Sequence, residues 1–161
     1  MGPIKLPSMS KSEINQAISQ QFLCRIAFIG KDGPYIAPFQ YAFVNNHLYF
    51  HFTDYGNKIG FLKEGKQVCV EIENYKPDFS EYAFVILKGT LKLVQDKAER
   101  KKAIDKISEI GKAKLSPHFL YAHGFDGKDG WSTLSADKEI LIVKLNKITS
   151  KKGLKSPSLE R

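Results

Sequence analysis

Thr53, Gly56 and Lys58 stand within six positions of one another in the run Thr53-Asp54-Tyr55-Gly56-Asn57-Lys58. A hydroxyl, an approachable glycine backbone and an ammonium at this spacing suit a phosphate monoester, an anion that takes several donors at once. Gly56 lets the chain come close without a Cβ in the way. If Lys58 opens the helix that follows, the free N–H groups of its first turn add to the site. The bland alternative is a surface loop with one incidental lysine. Arg25 is a charge inside the apolar run LCRIAFIG. It either points to the wet face of a strand or enters a groove and pairs with an anion. Gln40 and Tyr41, midway along the next run, would line the same groove. Trp131 lies among glycines, where it covers a planar ligand, covers an interface or simply fills core.

Other chemistries lack their residues. The chain has no G-x-S-x-G, no Walker loop and no H-E-x-x-H. His47, His51, His118 and His123 have no paired spacing that would make a metal site. Cys24 and Cys69 are too few for a disulfide framework and sit in apolar runs, so they read as buried thiols in a reducing cytoplasm. Cys24 has no visible activating partner. The net charge is +8, but the excess is local to 97–114 and 151–161. Those lysines fall on a helix face and a terminal segment, away from the aromatic strands, which argues against a nucleic-acid surface. No apolar stretch approaches the ~20 residues of a membrane-spanning helix. The expectation is a soluble, cytoplasmic protein that binds neither nucleic acid nor membrane.

The elements that must position these residues follow from periodicity. Residues 1–9 read as an arm. Ser10-Lys11-Ser12-Glu13 has the form of a capping box, and Ile14, Ala17, Ile18 and Phe22 follow at helical spacing. Strands are expected over 23–30, 34–44 and 47–53, with Ala27, Ile29, Ile36, Val44, Leu48 and Phe50 supplying the apolar positions of half-buried strands. Turns fall at Lys31-Asp32-Gly33 and Asn45-Asn46. Pro34 and Pro38 mark an edge or a bulge. A short helix over 58–64 ends at Gly65. Strands follow over 67–74 and 81–95, the second with Gly89 as a bend. A helix over 97–112 carries the apolar stripe Ala103, Ile104, Ile107 and Ile110. Residues 115–138 are irregular, 139–147 is the last strand, and 150–161 reads as a mobile basic tail. The order favours one mainly β domain over 10–149: a small six-stranded antiparallel barrel, closed or partly open, with flanking helices.

From 24 to 62 the chain resembles the FMN-binding split β-barrel of the pyridoxamine 5'-phosphate oxidase-like proteins, nearest the nitroimidazole-resistance reductase branch. The matching features are the Lys31-Asp32-Gly33 turn, Pro34-Tyr35-x-x-Pro38, Leu48-Tyr49-Phe50-His51, and Gly56-x-Lys58 opening a short helix. The likeness continues through Tyr82-x-x-Val85-x-x-x-Gly89, the helix after Asp96 and the closing stretch 142–153, and spans about 12–153 in all.

The resemblance implies a homodimer with FMN in grooves between subunits. It implies an oxidoreductase acting on a small-molecule substrate, with NAD(P)H as a candidate electron donor. Lys58 matches the family's phosphate-contacting lysine. Phe50, His51, Phe52 and Thr53 match the strand whose backbone meets the flavin ring, and Gln40 falls where the branch often has an amide beside it. Arg25 sits near a frequent phosphate-side basic position. Two departures stand out: Asn57 replaces a common arginine, and Phe84 replaces a common small hydroxyl residue. Related barrels bind deazaflavin or heme instead. A non-catalytic carrier of flavin or heme is therefore the rival reading, with His118 or His123 as the axial ligand.

Overall fold

The computed structural model describes residues 2, 4–53, 56–122, 130–134 and 140–157. Among them the order is α1 (Lys11–Gln20), β1 (Leu23–Gly30), β2 (Gly33–Val44), β3 (His47–Phe52), α2 (Asn57–Glu64), β4 (Gln67–Tyr75), β5 (Tyr82–Leu93), α3 (Lys97–Lys114), α4 (Pro117–Ala122), a 3₁₀ turn (Gly130–Thr133) and β6 (Leu141–Lys155). The strands close into an antiparallel barrel in the order β1-β2-β3-β6-β5-β4. The expected mainly β, six-stranded split barrel with flanking helices is the architecture found.

Local chemistry explains the element ends. Ser10 accepts from the Glu13 N–H and the Glu13 carboxylate accepts from the Ser10 N–H, the reciprocal capping box expected for α1. Asp96 caps α3 through the Glu99 N–H. Asn45 and Asn46 both take left-handed φ in the β2–β3 turn, at 50° and 63°. Over Gly33–Gln40, β2 pairs with β1; over Tyr41–Val44 it pairs with β3. Pro34 and Pro38 thus lie where no strand pairs with the other edge, so their missing N–H groups break no ladder there. The register of β5 against β6 shifts between Lys88 and Thr90, and a Cβ on Gly89 would run into the Asn146 carbonyl oxygen. That is the bend expected at Gly89.

Two cores result. Inside the barrel, Ile26, Phe28, Phe39, Tyr41, Phe50, Val70, Val85 and Val143 pack together, and α1 closes one end with Ile14, Ala17 and Ile18. The Tyr41 hydroxyl donates to the Ile18 carbonyl at 2.6 Å, tying the helix to the barrel. The second core lies outside the barrel. Ala42, Tyr49 and Ile142, on the outer faces of β2, β3 and β6, pack under Ala103, Ile104 and Ile107 of α3, with Leu120 and Trp131 alongside. The outer face of β1, β4 and β5 has no such helix over it among the described residues.

Three expectations change. In β1 the buried row is Cys24, Ile26 and Phe28, while Ile29 is 66% exposed and Ile36 of β2 is 62% exposed. Both rows of β1 are apolar, so alternation alone does not say which faces inward. The Phe28 ring, stacked on Phe61 at 4.9 Å and set edge-on to Phe39, settles it. The segment read as a tail from Ser150 is strand as far as Lys155, its polar run pairing with Ala83–Lys88 of β5. The arm over 1–9 is held to the same strand end: Ser8 bridges Leu154 and the Met9 N–H donates to the Gly153 carbonyl at 2.9 Å. Residues 158–161 lie outside the described residues.

Candidate functional site

The outer row of β2 carries Pro38, Gln40 and Ala42; the outer row of β3 carries Tyr49 and His51, and Thr53 follows on the same side. α3 covers Ala42, at the end of the β2 row, and Tyr49, at the start of the β3 row. At that margin lies a cavity of about 200 Å³, bordered by Gln40, His51, Thr53 and Lys58. Leu23, Pro38 and Phe39 wall it on the barrel side, and Phe119 of α4 walls it opposite. The structure therefore brings together four of the residues singled out from sequence.

Each polar group there has a local cause. Gly56, with φ 87°, turns the chain into α2 and offers no side chain to cap it. Lys58 stands in the first turn of that helix, where the positive end of the helix dipole adds to its charge. Its ammonium lies 5.3 Å from the centre of the Phe39 ring, a cation–π contact that holds it toward β2. Gln40 is 9% exposed, and its amide N–H donates to the Ile107 carbonyl of α3 at 3.0 Å. That bond fixes the amide plane, so the Gln40 carbonyl oxygen has a set direction.

The other expected residues lie elsewhere. Arg25 is on the outer face of β1, paired with Glu73 and, at 3.4 Å, with Glu71 of β4. It takes the wet-face reading, its charge balanced by two carboxylates outside the Lys58 cavity. Phe50 and Phe52 point into the barrel, 0% and 2% exposed, so at these two positions only the backbone is left to face a ligand. Trp131 is 7% exposed, stacked on Phe119 at 6.1 Å and seated on Gly111 of α3, where a Cβ would overlap its ring. That is the core position allowed for it, one ring removed from the cavity. Sequence reading missed Phe119, which sits in a short helix inside a stretch without clear periodicity.

The remaining candidates are placed as follows. His118 is exposed on α4; His123, Asp54 and Tyr55 lie outside the described residues. Among the described residues no group of His, Cys, Asp or Glu could hold a metal ion. Burial pushes the Cys24 thiol well above its ordinary value, which keeps it protonated and inert. No helix among the described residues is long and apolar enough to cross a membrane.

Comparison with known proteins agrees with this fold. A family model described as pyridoxamine 5'-phosphate oxidase matches residues 10–119. A search of curated proteins finds no match. Among solved structures, an FAD-binding protein from Mesorhizobium loti superposes with a TM-score of 0.69 at 17% identity, covering 96% of this chain and 100% of that one. A protein named for 5-nitroimidazole antibiotic resistance from Bacteroides thetaiotaomicron gives 0.63 at 19% identity, with 96% and 92% covered. The FAD and heme binding protein of Mycobacterium smegmatis gives 0.63 at 16% identity, with 92% and 72% covered. At these identities the likeness shows a shared fold. The family model spans more than half of the chain, and the chain belongs to the pyridoxamine 5'-phosphate oxidase family.

Proposed function

We propose that this protein is a flavin-dependent oxidoreductase that holds FMN, or the FMN half of a larger flavin, by its 5'-phosphate at Lys58. The observation that carries this reading is the cavity where Lys58, Thr53, His51 and Gln40 meet at the start of α2, in a chain of this family. Lys58 supplies charge, Thr53 a hydroxyl and the α2 turn its N–H groups. Solved relatives of the same fold are named for binding FAD. When bound, the flavin supplies hydride or electron transfer; the protein binds and orients it. This accords with the inert Cys24.

The cavity is smaller than the roughly 300–1,000 Å³ of a typical ligand pocket, so it takes the phosphate end only. The remainder of the ligand lies along Leu23 and Pro38, on the exposed face of β1 and β2. Ile29, Ile36 and Leu23 are exposed there, 66%, 62% and 46%. Their positions favour a second copy seated on this face, closing the site as a homodimer. The substrate is a small molecule and NAD(P)H is the candidate electron donor, in a reducing cytoplasm that keeps Cys24 and Cys69 free.

The test is anaerobic mixing of the flavin-loaded protein with NADH or NADPH. Bleaching of the visible flavin band, reversed by admitting an electron acceptor, supports the oxidoreductase. A flavin that stays oxidised with both donors, and is reduced only by dithionite, makes the protein a non-catalytic flavin carrier.

A further inference from the structure

A groove of about 550 Å³ runs between the N-terminal arm and the second half of β6, and it shares no lining residue with the Lys58 cavity. Its volume is that of a small-molecule pocket. Gly153 explains how it forms. A Cβ there would come within 2.7 Å of both Ile14 and the Met9 sulfur, so the glycine lets the arm and α1 lie close on β6. Phe84 of β5 lies opposite Leu154 of β6, and Ile86 lies opposite Lys152. Ile86 is 39% and Leu154 41% exposed. With Met9 and Ile14 on one side and Phe84, Ile86 and Leu154 on the other, the groove has apolar walls.

Its remaining border is basic. Lys151 and Lys152 both line the groove, although neighbours on a strand point to opposite faces. They do so because the groove wraps an open edge. The arm reaches β6 only as far as Gly153, whose carbonyl accepts from the Met9 N–H at 2.9 Å. Among the described residues no strand pairs with Lys151 on that edge. Ladder alternation turns the Lys151 N–H to the same open edge.

None of the residues lining the groove is acidic. Glu13, in the first turn of α1, is already held by Lys155 and the Ser10 N–H. Among the described residues Lys11, Lys151 and Lys152 have no carboxylate partner; the Lys151 ammonium donates to the neutral Asn15 side-chain oxygen. Burial and the neighbouring Lys11 ammonium hold Lys151 below the usual lysine range. Like charges gathered without a counter-ion beside apolar walls match a negative head on an apolar chain.

We propose that this groove binds the monomeric anion of a fatty acid, its chain on Phe84, Ile86 and Leu154 and its carboxylate between the ammoniums of Lys151 and Lys152. A carboxylate has acceptors enough for both ammoniums and the Lys151 N–H together. A short anion leaves the apolar walls wet, and a neutral or cationic chain leaves the lysines unmatched. The site does not depend on the flavin reading.

The test is calorimetric titration of the full chain with decanoate below its micelle concentration, against butyrate, decanol and decyltrimethylammonium. The expected result is decanoate binding tighter than each of the other three by about tenfold or more. Lys152→Gln weakens decanoate by about fivefold or more, and Ile86→Ser weakens decanoate while leaving butyrate unchanged. Both side chains are exposed, so the fold survives either change. Lys58→Ala leaves decanoate binding as it was. Failure to bind decanoate overturns the site, and so does equal binding of decanoate and decyltrimethylammonium. Decanoate binding that survives the double change Lys151→Gln and Lys152→Gln overturns it as well. Loss of decanoate binding in Lys58→Ala puts the carboxylate in the Lys58 cavity instead. A chain that ignores decanoate but sediments with vesicles of anionic lipid makes this border a membrane-facing surface and not a fatty-acid site.

Discussion

The ammonium of Lys58 stands 5.3 Å from the centre of the Phe39 ring, and both groups border the cavity that also holds Gln40 and Thr53. The aromatic face holds the cation at the cavity wall without neutralising it, as a carboxylate would. Among the described residues no carboxylate pairs with it, which leaves the charge to an incoming phosphate. Lys58→Ala is expected to weaken FMN binding by about 1–3 kcal/mol, the scale of a hydrogen bond to a charged group. Lys58→Arg should restore most of it. Fluorescence titration of FMN reads both, and an unchanged constant in Lys58→Ala takes that lysine out of the site.

The exposed face of β1 and β2 yields a second prediction. Ile36 is 62% exposed, so Ile36→Glu costs the isolated fold little. If a second copy sits there, the carboxylate is buried unpaired against Ile29 and Ala27 and the dimer comes apart. Sedimentation should show a dimer for the unmodified chain and a monomer for Ile36→Glu, with an unchanged thermal midpoint at low protein concentration. A variant that remains dimeric puts the interface elsewhere.

Gly111 explains how Trp131 reaches the core. The ring lies where a Cβ on Gly111 would be. In an open helix, alanine would gain up to about 1 kcal/mol over glycine. Here the overlap forces Trp131 and its stacked neighbour Phe119 to shift, at a cost of about 1–3 kcal/mol. Gly111→Ala is therefore expected to lower stability in denaturant unfolding despite its better helix propensity. Because Phe119 borders the Lys58 cavity, FMN binding should weaken too. A more stable Gly111→Ala chain would show that Trp131 is loosely held.

A third relationship sets the acid limit. Glu13 accepts a hydrogen bond from Lys155, fixing α1 to the end of β6. That bond, with the Ser10 backbone and hydroxyl, lowers the Glu13 carboxyl from 4.5 to about 2. A carboxyl lowered in the fold adds stability above its ordinary value, and this is lost as pH falls from about 4.5 through about 2. Unfolding midpoints measured down that range should fall less steeply for Glu13→Gln than for the unmodified chain. Parallel curves would mean that the pair contributes nothing.

Much of the barrel was legible because its signals are local. The capping box, the two turn sequences, Gly89 and the clean alternation of Val68, Val70 and Ile72 each carry their own physical cause. The facing of β1 was not legible, because Cys24, Ile26 and Phe28 compete with Ala27 and Ile29, and only the Phe28–Phe61 stack decides. The last strand was read short because its lysine-rich half becomes strand only by pairing with β5, a long-range choice that composition does not encode. At the site, Lys58, Thr53, His51 and Gln40 were marked by residue type and by the Gly56 turn. Arg25 reads from sequence as either a wet-face or a groove residue, and its partners Glu71 and Glu73 on the neighbouring strand decide for the wet face. Phe119 was hidden, since one aromatic in an irregular stretch has no pattern to announce it.

The central claim is that this barrel carries a flavin. The most direct measurement is the visible absorption spectrum of the purified protein, or of the protein after incubation with FMN or FAD and gel filtration, followed by heat release and identification of the chromophore. The account predicts a flavin spectrum that survives gel filtration and is lost in Lys58→Ala. A colourless protein that elutes free of both added flavins, or one with a Soret band and no flavin, would contradict it.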